Sequence, residues 1–187
     1  MLSVIIPTRN SERALVPTLA ALVPGAVSGL VSEVLLADGG SQDDTAAVAD
    51  VAGCNFLALE GLPLAARLKA AASAARRPWL IFLRPGTVLD PSWTGEVVRF
   101  LELDARQDCA AVFRRGGQWN ALREFLSAAA TALGALPDSA QGLLIAKPLY
   151  DAVGGHSDSA SDAERNLLRR LGRRRIVTLA TQARDGV

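Results

Sequence analysis

Asp38 is the residue of this chain best placed to do recognition chemistry. It follows a short apolar run at 34–37 and is followed at once by Gly39 and Gly40, then by Ser41, Asp43, Asp44 and Thr45. A buried strand that delivers a carboxylate to its carboxyl end, then a glycine turn and a helix start, is how an open α/β sheet makes a crevice of nucleotide size. The plainer alternative is a strand-to-helix turn with a capping acid, and the motif alone does not separate the two.

Other chemistries find little support. No G-x-G-x-x-G follows the first strand, and no G-x-x-x-x-G-K-[ST] occurs anywhere, so dinucleotide dehydrogenases and P-loop enzymes are poorly supported. There is no G-x-S-x-G elbow, and the single histidine, His156, leaves a serine triad little room. Cys54 and Cys109 lie far apart without a C-x-x-C, so no zinc site is expected. They read as buried thiols of a reducing compartment.

The elements that must hold Asp38 follow from the apolar pattern. Residues 2–6 form a continuous apolar run closed by Pro7, as suits a parallel strand covered on both faces. Ser11 is the expected N-cap of a helix with a Leu15, Leu19, Leu22 stripe, which Pro24-Gly25 ends. A second strand covers 33–37. The helix after it starts near Ser41 or Asp43, where the aspartates suit the positive end of the dipole, and Gly53 stops it. Further strands are expected at 55–59, 79–83, 110–113, 142–146 and 176–179, and helices at 63–77, 91–103, 119–133, 148–153 and 161–171. Strands alternating with helices over the first half imply βαβ units and a mainly parallel sheet. The Gly/Ser-rich stretches at 24–32 and 154–161 read as loops, the second as a mobile flap.

A chain of 187 residues is the size of one domain, expected here over 1–187. Its net charge of +1 supplies no bulk attraction to nucleic acid or an acidic membrane. Met1 runs straight into a strand without a signal-peptide core, and no apolar run has the length of a membrane span, so a cytoplasmic location is expected.

Five motifs occur in order: SVIIPTRN, EVLLADGGSQDDT, FLRPGTVLDP, QGLLIAKPLYDAVGG and DAERNLLRRLGR. Together they resemble the inverting family 2 glycosyltransferases of GT-A fold, and among these the short bacterial branch called radical-SAM/selenodomain-associated transferase 2. The resemblance implies an α/β domain with a mixed, mostly parallel sheet flanked by helices. It implies transfer of a sugar from a nucleotide-diphospho-sugar to a hydroxyl acceptor by direct inverting displacement, and a divalent cation, Mn or Mg. It puts Pro7, Thr8 and Asn10 beside the base and ribose. Asp38 would accept hydrogen bonds from the base, which suits a group with only acceptors to offer. Gly39 and Gly40 would let the backbone approach the ligand.

Several positions depart from that pattern. The family's metal-holding acid falls on Gly86 of Arg84-Pro85-Gly86-Thr87, and a hard cation needs oxygen ligands that glycine lacks. A Gly-Asp-Gln-Gly run is replaced by Ser139-Ala140-Gln141-Gly142, and the Asn and Gly of the third helix by Lys69 and Ala71. The late Glu-Asp pair, which carries the catalytic base, aligns with Ala163-Glu164, with Asp162 adjacent but out of register. Two readings stay open. In one, Arg84, helped by Lys69 or Arg67, stabilises the departing diphosphate without metal, and Glu164 or Asp162 is the general base. In the other, the protein is a non-catalytic relative that binds a nucleotide, a sugar or a protein partner.

Smaller features add less. Arg169, Arg170, Arg173, Arg174 and Arg175 form a basic run without interleaved aromatics, which argues against nucleic acid. A solvated helix end is the first reading, and peripheral contact with acidic lipid the second. His156 stands where the family often has Phe; it is either a group titrating near neutrality or an incidental loop residue. Trp79, Trp93 and Trp119 are expected in or beside the core, with any one of them able to stack on a sugar.

Overall fold

The computed structural model describes residues 1–102, 108–116, 142–157 and 163–186. The elements run β1 (Leu2–Thr8), α1 (Glu12–Val27), β2 (Val31–Asp38), α2 (Thr45–Val51), β3 (Asn55–Ala58), α3 (Leu64–Ala74), β4 (Trp79–Phe82), β5 (Thr87–Leu89), α4 (Trp93–Glu102), β6 (Ala110–Gly116), β7 (Leu143–Ala146), α5 (Lys147–Ala152), α6 (Ala163–Leu171) and β8 (Ile176–Asp185). The helix expected at 119–133, Trp119 and Asp162 lie outside the described residues.

The eight strands among the described residues join one sheet in the order β3-β2-β1-β4-β7-β6-β8-β5. β1 to β4 pair in parallel, β7 runs antiparallel between β4 and β6, β8 is parallel to β6, and β5 is antiparallel to β8. The strand order turns back at β1, between β2 and β4. Such a switch point leaves a crevice beyond the carboxyl ends of the two strands.

Successive residues of β1 feed opposite layers, which explains why Val4, Ile5 and Ile6 are all apolar, while buried Ser3 is satisfied by donating to Glu33 Oε1 at 2.6 Å. Val4 and Ile6 pack with Leu15 and Leu22 of α1 and Trp93 and Val97 of α4. Ile5 packs with Leu68 and Ala72 of α3 and Leu167 and Leu168 of α6. At about 25 cal/mol per Å² of apolar surface, these two layers supply most of the drive to fold. No helix among the described residues is long and apolar enough to cross a membrane.

Three of the departures from the expected boundaries have a clear physical reason. β1 continues through Pro7, because Pro7 faces the β4 side beyond the last pair, Ile5 with Phe82, where the ladder needs no donor. α1 continues past Pro24-Gly25 to Val27. The carbonyl that Pro24 leaves unpaired is that of exposed Ala20, open to water. Gly25 serves contact instead: a Cβ there would lie 2.6 Å from the Trp93 ring, whose Nε1 donates to the Ala21 carbonyl at 3.0 Å. β8 runs on to Asp185 and pairs with β5, a strand not expected at all.

Candidate functional site

The register lines up one rim of the sheet. Thr8 pairs with Asp38 and Asp38 with Ala58 at the ends of β1, β2 and β3. Further along, Phe82 of β4 pairs with Leu143 of β7, and Leu143 with Val112 of β6. The loops after β1, β2 and β4 therefore rise from the same edge.

Asp38 is 3% exposed, and the protein fills its carboxylate. Oδ1 accepts from the Thr8 hydroxyl at 2.8 Å and the Ser41 hydroxyl at 2.5 Å, and Oδ2 from the Gly40 and Ser41 amides at 2.9 and 2.8 Å. Those four donors match the lone-pair sites of a carboxylate. Burial opposes its charge, but the bonds from Ser41, Thr8 and Gly40 together outweigh burial and hold its pKa below the ordinary value. Asp38 thus organises the loop that the sequence assigned to ligand binding.

The neighbouring loop is tied to it. The Asn10 amide donates to Ser41 Oγ at 2.9 Å, and the Gln42 amide to Asn10 Oδ1 at 2.7 Å. Asn10 takes a positive φ of 49°, which asparagine tolerates. Ser11 flanks α1 without a side-chain cap. Instead its amide donates to Thr45 Oγ1 at 2.9 Å and that of Glu12 to Asp43 Oδ2 at 3.0 Å, so the β2–α2 loop caps the first helix. Pro7 is half-buried at the end of β1.

Arg67 of α3 spans the strand ends. Its Nη1 donates to the Thr8 and Ala37 carbonyls at 2.9 and 2.8 Å. The guanidinium lies so close over Gly39 that a Cβ there would sit 2.8 Å from Arg67 Cζ. Burial lowers its pKa, with Asp38 opposing. Lys69 stands on the exposed face of α3, and its side chain has no partner among the described residues.

At the end of β4, Arg84 reaches α6. Its Nη2 is bonded to Glu164 Oε2, and its Nε lies 3.5 Å from Oε1. The sequence assigned these two residues to opposite tasks, and the fold makes them partners. Gly86 adopts a φ of +90°, with its amide shared between the Ala14 carbonyl and Thr18 Oγ1, both at 2.9 Å. The position aligned with the metal acid is thus a left-handed turn against α1. A guanidinium, a glycine and an already paired carboxylate do not make a site for a hard cation. No cluster of three metal-ligating side chains occurs among the described residues.

His156 is the residue whose place was least foreseen. It is 2% exposed, not a surface-loop residue. Its Nδ1 lies 2.9 Å from the Tyr150 hydroxyl, its amide donates to that oxygen at 3.2 Å, and its ring meets the edge of Phe82. Burial, then the charge of Arg170, pushes its pKa down to about 4, so it does not titrate near neutrality. Arg170 is no free member of a basic run: Nη1 and Nη2 bond the Val153 and Gly155 carbonyls and pin residues 153–156, the described start of the expected flap. The one sequence signal was His156 standing where an aromatic is usual. Trp93 is wholly buried, and Trp79 packs edge-on against Phe100, so both serve the core.

Solved structures share this arrangement over the whole chain. Glucosyl-3-phosphoglycerate synthase from Mycobacterium tuberculosis, solved with Mn2+, uridine-diphosphate and glucosyl-3-phosphoglycerate, superposes with a TM-score of 0.71 at 22% identity, covering 100% of this chain and 70% of that one. S. aureus TarS, residues 1–349, superposes with a TM-score of 0.73 at 15% identity, covering 99% of this chain and 60% of that one. At such identities the likeness is one of fold, the GT-A arrangement of a curled, mostly parallel sheet between helices. No curated protein matches the sequence. The family described as Glycosyl transferase family 2 matches residues 3–166. By that match across most of its length, the chain belongs to glycosyl transferase family 2.

Proposed function

We propose that the protein transfers a sugar from a nucleotide-diphospho-sugar to a hydroxyl acceptor, with Arg84 in the electrostatic role that a divalent cation has in the family. Within family 2 we place it in the radical-SAM/selenodomain-associated transferase 2 branch, as a member whose metal motif has degenerated, working in the cytoplasm. The observation that carries the reading is the Arg84–Glu164 pair at the rim shared with the Asp38 loop. It brings a phosphate-binding cation and a base within one bond of each other.

The reaction follows from those groups. Diphosphate oxygens compete for the Arg84 guanidinium, which binds them in two-point fashion. Glu164, released, takes the proton of the acceptor hydroxyl. The hydroxyl oxygen attacks the anomeric carbon from the opposite face, and the bond to the diphosphate breaks with its electron pair. The guanidinium stabilises that leaving charge. Rotation of the Ser41 hydroxyl frees Asp38 Oδ1 for a donor on the base. Pro7, Thr8, Asn10, Gly39 and Gly40 frame the base and ribose, while Lys69 and Arg67 add positive potential. Asp162 is the alternative base.

A second reading has its own support. Asp38 is saturated, and Arg84 and Glu164 neutralise each other, which suits a protein that binds without turnover. The test is transfer and hydrolysis of uridine and guanosine diphospho-sugars, with Mn2+ or with EDTA. Turnover in EDTA that is lost in Glu164→Gln supports the transferase. Nucleotide binding that Asp38→Ala abolishes, with no turnover under any condition, supports the binder.

A further inference from the structure

The strand registers gather a second set of charged groups on the sheet edge opposite Asp38. Leu2 pairs with Trp79, Trp79 with Ala146, and Ala110 with both Ile145 and Ile176. The residues flanking these pairs therefore lie along one rim. They are Arg76 and Arg77 before β4, Lys147 after β7, and Arg173, Arg174 and Arg175 before β8. With neighbouring strands about 4.8 Å apart, the row from β4 to β8 is about 15 Å long. β1 spans seven residues from this rim to the Asp38 side, so the two rims are about 20 Å apart.

Few acids oppose these cations. Glu33 pairs with Arg76 Nε at 3.3 Å, and the Arg76 side chain remains 76% exposed. Lys147 Nζ donates to the Ser73 and Ala75 carbonyls at 3.3 and 2.5 Å, partners without formal charge. Arg173, Arg174 and Arg175 are all exposed. The other described acids near this rim are Asp108, just before β6, and Glu102, at the end of α4. The chain's net charge of +1 thus conceals a basic end.

The same rim exposes apolar side chains. Met1, ahead of β1, is 64% exposed and Val27, at the end of α1, 83%. Val27 is held at this level by the strand that follows, where the Leu2 amide donates to the Leu30 carbonyl at 2.9 Å. No aromatic ring is offered for stacking: Trp79, the aromatic of this rim, is half-buried and packs edge-on against Phe100. Cations beside exposed apolar side chains, without stacking rings, fit lipid headgroups and the acyl boundary beneath them better than nucleic acid.

We propose that this rim docks on the surface of an anionic phospholipid bilayer. The arginines and Lys147 meet the headgroup phosphates, and Met1 and Val27 enter the boundary region. The Asp38 and Arg84 loops then face water on the far side of the sheet. Docking itself does not rest on the transferase reading. Only its consequence does: the acceptor hydroxyl arrives from solution and not from the bilayer underneath.

The full chain is sedimented with vesicles of phosphatidylcholine, alone or mixed with phosphatidylglycerol, at low and at high salt. Binding should need phosphatidylglycerol and fall as salt screens the charges. Arg174→Gln combined with Arg175→Gln should weaken it about 25-fold, from about fivefold per arginine near an anionic surface. Arg9→Gln combined with Arg13→Gln, exposed residues beside the opposite rim, should leave it unchanged. Amide exchange on the vesicles should slow at Arg76, Arg77 and residues 174–176 and stay as it was at residues 39–42. No binding to phosphatidylglycerol vesicles at low salt overturns the proposal. So does equal weakening by both pairs of substitutions, or protection at residues 39–42 instead. Tighter binding to a duplex oligonucleotide or to polyglutamate than to vesicles, at matched charge, overturns it as well. No sugar nucleotide is present, so docking and transfer fail separately.

Discussion

Arg84, at the end of β4, and Glu164, in the first turn of α6, are joined in a two-point ion pair across 80 residues of sequence. The pair holds the cation and the base of the proposed reaction in their resting state. In the proposed reaction a ligand that takes Arg84 would release Glu164, so donor binding would arm the base.

The pair can be broken without losing the fold. The Arg84 side chain is 45% exposed and that of Glu164 13%, so water screens the pair mainly from the arginine side and it contributes on the order of 1 kcal/mol. Arg84→Ala should therefore keep its melting temperature within a few degrees while the donor KM rises. Glu164→Gln should lower kcat about 10²–10⁴-fold, the usual worth of a general base, while nucleotide affinity by calorimetry should hold or rise, because the charge that competes for Arg84 is gone. Equal loss of nucleotide binding in both variants would contradict the division of roles.

Asp38→Asn should act on the fold first. The two backbone amides now bonded to Oδ2 and the two hydroxyls on Oδ1 all donate, and an amide group must turn its NH₂ toward one pair of them. Leaving buried donors facing a donor costs about 1–3 kcal/mol each. The denaturant midpoint should fall by a corresponding amount, and the Asn10–Ser41 contact should loosen, read as faster amide exchange at Asn10 and Gln42.

Restoring an acid at the missing metal position should not restore a metal site. Gly86 has a φ of +90°, and a Cβ there would lie 3.5 Å from the Gly186 carbonyl. Gly86→Asp should be destabilised by about 1–2 kcal/mol from the left-handed backbone alone. Mn2+ should raise neither its melting temperature nor its transfer rate. A Mn2+-dependent rise in either would mean that the turn can open into a coordination site.

Acid should weaken the fold through His156. Its folded pKa is about 4 against an ordinary 6.5, so between those values the unfolded chain binds more protons. Stability therefore rises with pH from about 4 to 6.5 and is lost on acidification through that window. The full effect is on the order of 3 kcal/mol. Denaturant midpoints from pH 4 to 7 should slope in the wild type and flatten in His156→Phe. Asp38 acts lower: its contribution is complete above its ordinary 3.8 and is lost only as pH falls through its depressed pKa.

Much of the architecture was legible where burial dictates residue type. The β1 run, the β2–Asp38 boundary, β4 and the apolar faces of α3 and α6 sit where periodicity puts them, because both faces of the central sheet are covered. β5 and the second half of β8 escaped for the opposite reason. Along β8, Leu179, Thr181 and Ala183 are buried while Ala180 and Arg184 are exposed, so the end of the sheet reads as polar loop. Pro24-Gly25 carried a strong stop signal that a tertiary contact with Trp93 overrode.

For the site, the chain's own residue order determined which groups are available: an acid at a strand end, glycines after it, a glycine where a second acid is usual with an arginine two residues before it, and a glutamate opening a late helix. Local rules suffice for this, since strand ends, turns and helix starts depend on residues a few positions apart. Only the tertiary structure decided what those groups do to one another. It saturates Asp38 with Thr8, Gly40 and Ser41, commits Arg67 to strand-end carbonyls, pairs Arg84 with Glu164, and turns a loop histidine into a buried neutral ring. Each of these rests on contacts between segments distant in the chain or on exclusion of water. Hydrogen-bond partnership and desolvation are properties of the packed molecule, with no signature in local sequence.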